Sequence, residues 1–262
     1  MEHIAIDLGS RESQICRRTA AGDIVEERRG ATSALEAYLT GQMSAHVVME
    51  TCTEAFRIAD LARGHGHDVC LVPATRVRSL GVGQRGLKND VRDARVLSEA
   101  SCRMALPTVH LPSVTSREWQ ALCTSREALV KTRTPLISRG RSYLRGRRAT
   151  GLRATPDSLP TKGRTRLLED AEGRPTPRAR VLVVLECLNE QIATAAAELK
   201  QLVTDDDRTR RLMTVPGVGP VTAVRFVAAV DRIERFPNAA RLAVVAKYVV
   251  HQAALFKRDH GV

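Results

Sequence analysis

The period of the apolar positions changes along the chain, and each change marks an element. Residues 3–7 read His-Ile-Ala-Ile-Asp, an apolar run that stops on a carboxylate, with Gly9 opening the turn behind it. That pattern predicts a buried strand delivering one acid to its exit. An acid so placed is either structural or a metal ligand, and its partners decide which. Ser13 to Arg18 and Asp23 to Arg28 read as two more strands about the turn Ala20-Ala21-Gly22. Ser33 to Leu39 is a short helix with Thr32 or Ser33 as N-cap. His46-Val47-Val48-Met49 repeats the opening arrangement and ends in Glu50. Thr53 to Arg63 reads as a helix closed by Gly64 and Gly66, and Asp68 to Val72 as a strand stopped by Pro73.

Strands that alternate with helices require parallel crossovers, whereas the first three can form an antiparallel meander. The fold class is therefore α/β, with the mixed sheet of the ribonuclease H kind. The segment Leu87-Lys88-Asn89-Asp90-Val91-Arg92-Asp93-Ala94 then runs into a helix over Arg95 to Met104. Asp90 and Asp93 lie three apart and share a helix face. Carboxylates also favour a helix start for its dipole alone. Four acids at one sheet edge would repel each other unless a cation were bound. All-oxygen donors suit Mg²⁺ or Mn²⁺, which can activate a water and stabilise a leaving oxygen in phosphoryl transfer.

Further on, Ser116 is the expected N-cap of a helix through Trp119, Leu122, Leu129 and Val130 towards Leu136, which Pro135 would kink or interrupt. A basic run follows: Arg139, Arg141, Arg145, Arg147, Arg148 and Arg153. Residues 150–177 contain four prolines and few large apolar side chains, the composition of a loop. Val181, Leu185, Leu188, Ile192, Ala195, Leu199 and Leu202 then step by alternating fours and threes, a heptad seam. The seam serves either a coiled coil or a partner helix in the same chain. Leu212 to Ala223 reads as a helix-hairpin-helix, in which Gly217 and Gly219 let backbone N–H groups approach a phosphate.

Composition sharpens the choice of partner. The 262 residues carry a net charge of +12, which favours a polyanion, nucleic acid before membrane. Aromatics make up only 3%, which argues against a base-stacking platform. Six scattered cysteines without zinc spacing read as reduced thiols. No signal peptide and no apolar run near a membrane span is evident, so a soluble cytoplasmic protein is expected.

The order DLG (Asp7 to Gly9), METC (Met49 to Cys52) and KNDVRDA (Lys88 to Ala94) resembles the DEDD transposases of bacterial insertion sequences, whose N-terminal domain is RuvC-like. The run Pro216 to Ala223, followed by Arg235-Phe236, resembles their C-terminal domain. The resemblance implies that Asp7, Glu50, Asp90 and Asp93 bind Mg²⁺ or Mn²⁺ and act on DNA. It also implies a structured guide RNA as a partner, as in related members, and a homo-oligomer assembled through the helical segment. Arg139, Arg141, Arg145, Arg147, Arg148, Gly217 and Gly219 are the expected nucleic-acid contacts. The expected domains are 1–112 (RuvC-like), 113–207 (long helices, coiled-coil-like) and 208–262 (a partial C-terminal transposase domain). One departure stands out: the family has a catalytic serine in its C-terminal domain, and no serine follows Ser158. A truncated or frameshifted copy is the expectation that follows. Three other readings stay open: a non-catalytic nucleic-acid-binding remnant, a RuvC-like nuclease of branched DNA, and an actin-like ATPase or sugar kinase using Gly81, Gly83 and Gly86 as a phosphate loop.

Overall fold

Five short strands form one sheet; the three parallel ones are apolar runs bounded by polar or turn residues, and half of the edge strand over 24–31 is charged. The strands are β1 (His3–Asp7), β2 (Glu12–Arg18), β3 (Ile24–Ala31), β4 (His46–Glu50) and β5 (Asp68–Val72). The order across the sheet is β3-β2-β1-β4-β5. The first three pair antiparallel, and β1, β4 and β5 run parallel, as the sequence pattern predicts. This computed structural model describes residues 1–79, 90–146, 155–162 and 179–260. The chain divides into two compact units, Met1–Leu111 and Pro112–Val262.

In the first unit, alternation along the strands builds two apolar layers. Ile4, Ile6, Val47, Met49, Val69 and Leu71 face α1 (Leu35–Thr40) and α2 (Ala55–Gly64), which contribute Leu39, Ile58 and Ala62. Ala5, Val48, Cys70 and Val72 face the other way and pack with Leu97 of the helix Asp90–Arg103. A short helix, α3 (Ala74–Ser79), precedes that one, which is α4. Gly81, Gly83 and Gly86 lie outside the described residues. The turn after β1 is held by Thr32, whose Oγ1 donates to the Gly9 carbonyl at 2.8 Å and lies 2.8 Å from Ser13 Oγ. Thr32 therefore serves this turn and caps no helix, and the 3₁₀ turn Thr32–Ala34 has no side-chain N-cap.

The second unit is helical. α5 (Val114–Gly146) and α6 (Ala179–Asp205) pack side by side. Ile137 meets Leu182 and Leu185, and Cys123 meets Leu199, so the two run antiparallel. Every position of the heptad seam is buried or half-buried. Of the two uses left open for the seam, this one is within the chain. Pro135 interrupts nothing: α5 continues eleven residues beyond it to Gly146. Pro135 and Lys131, the residue one turn earlier, are both exposed, so water can take the carbonyl that the proline leaves free. The buried Arg133 and Ile137 beside it hold the axis on α6. Ser116 is not the N-cap. Ser113 Oγ accepts from Ser116 N at 3.1 Å, and Ser116 itself is buried. Within the stretch expected to be loop, residues 159–162 form a helical turn, and fully buried Leu159 packs with Leu182 and Leu185. Residues 150–154 and 163–177 of that stretch lie outside the described residues.

Beyond α6, Asp206 caps α7 (Asp207–Leu212) by accepting from Arg208 N and Thr209 N, both at 2.9 Å. A turn leads to α8 (Pro220–Val230), which packs Val224 against Cys123 and Leu199. The chain then forms α9 (Ala239–His260). Contrary to expectation, α9 is long and apolar enough by composition to cross a membrane. Length and composition alone assign no membrane, and Lys247 stands at its middle. All six cysteines are free; Cys16, Cys70 and Cys123 are buried, while Cys52 and Cys187 are exposed.

Candidate functional site

The acids at the strand exits are brought level by sheet register. β1 and β4 pair Ile6 with Met49, so the next step aligns Asp7 with Glu50. Asp7 also pairs across β2 with Gln14, and Glu50 across β5 with Val72. Each acid shares the parity of Ala5 and Val48 on its own strand, the residues that face α4. Gly9 is required just behind Asp7, because a Cβ there would overlap the Glu12 carbonyl oxygen. Asp7 and Glu50 are both half-buried, and each has polar interactions of its own.

α4 crosses the same face in the opposite direction to β1. Ser101 Oγ lies 3.0 Å from His3 Nδ1 at the start of the strand. Ser98 Oγ lies 3.1 Å from the Sγ of Cys16, which pairs with Ala5 further along. The helix from Ser101 back to Asp93 rises about 12 Å. The strand from His3 to Asp7 advances about 13 Å. Asp93 thus reaches the level of Asp7 and Glu50, and it is 9% exposed. Asp90 is the first residue of α4, one turn before Asp93; its side chain lies outside the described residues. The helix start favours carboxylates there through its dipole.

The four acids therefore come from three elements, β1, β4 and α4, whose ends lie toward one sheet edge. Among the described residues, no three His, Cys, Asp or Glu side chains are gathered closely enough to hold a metal. In kind the donor set fits a hard divalent cation, since all four members are carboxylates and no thiolate or imidazole is interposed.

In the second unit, Arg139 and Arg141 are exposed on the last turns of α5. Arg145 belongs to the same helix, but its side chain lies outside the described residues, as do Arg147 and Arg148 altogether. Gly217 adopts φ 85°, a left-handed conformation that tightens the turn between α7 and α8. Gly219 is the N-cap of α8, with no side-chain cap and with Pro220 at the first position. The turn borders a groove of about 640 Å³ also lined by Arg126, Arg225, Val250, Ala254, Phe256 and Lys257. Arg225 is paired with Glu127.

A family model described as a DEDD transposase of the IS110 type matches residues 4–147. The chain belongs to the IS110-family DEDD transposases. A second model, a transposase family of the IS116/IS110/IS902 group, matches residues 209–255. The chain is 28% identical over 256 residues to the transposase of insertion element IS1111A from Coxiella burnetii, covering 95% of this chain and 68% of that one. It is also 28% identical to the IS1328 transposase of Yersinia enterocolitica, covering 84% and 65%. A probable family 20 transposase of Pseudomonas aeruginosa is 30% identical, over 72% of this chain and 56% of its own length. The chain thus spans about two thirds or less of the length of these relatives.

Some organising residues of this IS110-family chain carry no local signature. Asp231, at φ 56°, is the only described non-glycine residue with positive φ. Its Oδ1 accepts from Ser113 Oγ and Ser116 Oγ, both at 2.6 Å, and its Oδ2 from Ser113 N at 3.0 Å. It thereby joins the end of α8 to the start of α5. Arg133, 5% exposed, donates to Asp157 Oδ1 at 2.8 Å and Asn189 Oδ1 at 3.1 Å. Partners more than a hundred residues away, as at Asp231, give a sequence reading nothing to find.

Proposed function

We propose that this chain cuts DNA as an insertion-sequence transposase, with Asp7, Glu50, Asp90 and Asp93 holding Mg²⁺ or Mn²⁺. The observation that carries this reading is the register of β1 with β4, which ends two adjacent parallel strands on carboxylates while α4 starts on two more. A bound pair of such ions would activate a water or hydroxyl and neutralise charge on the phosphate. The chain's own part is to carry the acids on strands and a helix packed into one core. Exposed Arg139 and Arg141, with the rest of the run through Arg148, supply phosphate contacts that position nucleic acid without reading its sequence. The turn at Gly217 and Gly219 acts as a helix-hairpin-helix that adds backbone donors for a phosphate. A structured RNA from the element is a second polyanion that these surfaces suit. Self-association would use the outward side of the α5–α6 pair, where Val183 and Val184 are exposed.

The test is cleavage of branched DNA and of element-end DNA by the purified chain in Mn²⁺ or Mg²⁺, beside Asp7→Ala. Metal-dependent cleavage abolished by that change supports the proposal; cleavage that persists in Asp7→Ala refutes the carboxylate centre.

A further inference from the structure

A helix lying on a sheet through apolar contacts alone can slide, because such contacts are non-directional. α4 meets the sheet through Leu97, which packs with Ala5 and Val48, and beside it stands a buried polar cluster that apolar packing does not require. Ser98 is fully buried. Its Oγ accepts from Arg18 Nε at 2.8 Å and lies 3.1 Å from Cys16 Sγ and 2.8 Å from the Arg95 carbonyl. Arg18 also donates to the Gly22 carbonyl at 2.7 Å, so its guanidinium is fixed from both sides. One turn away, Arg95 makes a two-pronged pair with Glu27, the strand residue opposite Cys16. These contacts tie one level of α4 to Cys16 and Arg18 of β2 and to Glu27 of β3.

We propose that Ser98 and Arg95 are positioning residues that set the axial register of α4, and through it the height of Asp90 and Asp93 against Asp7 and Glu50. Hydrogen bonds are directional and lose their geometry within a fraction of an ångström, whereas Leu97 tolerates a shift along its groove. Asp93 lies five residues before Ser98, about 7.5 Å along the helix. Displacement at the cluster therefore passes undiminished along a rigid element to the acid. Neither residue touches the acids, so each acts through the helix that carries them. This inference rests on the carboxylate centre proposed above.

The experiment titrates Mn²⁺ into the full chain by calorimetry, with thermal unfolding of each variant measured alongside. Asp7→Asn serves as the reference for lost metal binding. Ser98→Ala is expected to weaken Mn²⁺ binding about tenfold, equivalent to about 1.4 kcal/mol. Arg95→Gln, at a more exposed site that should fold even if Ser98→Ala does not, is expected to weaken it several-fold. Ser98→Thr, which keeps the hydroxyl, should recover most of the affinity. Ile58→Val, a core change on the opposite face of the sheet, should lower the melting temperature while leaving Mn²⁺ affinity unchanged. Wild-type affinity in folded Ser98→Ala and Arg95→Gln overturns the positioning role while the metal centre stands. Absence of Mn²⁺ binding by the wild-type chain itself overturns the metal centre and this inference with it.

Discussion

Replacing Asp231 by alanine should destabilise the second unit far more than a partly exposed loop residue ordinarily would. Its carboxylate accepts from Ser113 N, Ser113 Oγ and Ser116 Oγ, at 3.0, 2.6 and 2.6 Å. Hydrogen bonds to a charged group contribute about 1.5–3 kcal/mol each, and partial exposure brings these three to about 3 kcal/mol together. Aspartate and alanine both carry a Cβ at φ 56°, so the backbone adds little to this change. The sum stays at about 3 kcal/mol. With a urea slope of about 2 kcal/mol/M, the midpoint should fall by about 1.5 M. Trp119, the only tryptophan, packs near Cys123 and Val224 in this unit, so its fluorescence reports the transition without interference from the first. Asp231→Gly separates the causes, since glycine accepts the backbone angle but not the hydrogen bonds. It should lose about 3 kcal/mol. A wild-type midpoint for Asp231→Gly would show that the carboxylate contributes nothing and would sink the reasoning.

Gly9→Ala should lower the stability of the first unit by about 1–3 kcal/mol, because the added methyl group overlaps the Glu12 carbonyl behind Asp7; urea unfolding followed by circular dichroism measures it. His3 has its pKa held below 6.5, first by burial, then by His46 and the N-terminal amine. The unfolded chain therefore binds the proton more readily, so this stability is present above pH 6.5 and is lost as the pH falls through the lower folded value. Unfolding between pH 7 and 5 should show that slope, and His3→Gln should flatten it. Arg139→Gln with Arg141→Gln should weaken nucleic-acid binding uniformly across sequences and reduce the salt dependence by about two counter-ions, as read by fluorescence anisotropy over a salt series.

How far the molecule could be read in advance depended on whether the deciding forces were local. The strands ending on Asp7 and Glu50 are short apolar runs with abrupt polar ends, and their parallel pairing follows from the helices between them. Their level alignment is less local, since it needs the register that pairs Ile6 with Met49. The heptad seam of α6 was evident, but whether it pairs within the chain was not, because the same spacing serves a neighbouring helix or another chain. Pro135 does not interrupt α5, because the carbonyl it leaves free lies on an exposed side of the helix where water can reach it. The sequence offers Ser116 as the cap, whereas Ser113 takes that role by accepting from Ser116 N. What assigns them is Asp231, more than a hundred residues away, which draws both hydroxyls to itself.

The opposite directions of α4 and β1 constrain which length changes this chain can tolerate. A residue inserted in β1 or β4 would turn its terminal acid to the other face of the sheet. One inserted in α4 between Asp93 and Ser98 would swing the acids about 100° around the helix axis. Relatives that keep this arrangement of acids should therefore hold constant spacing from Asp90 to Ser101.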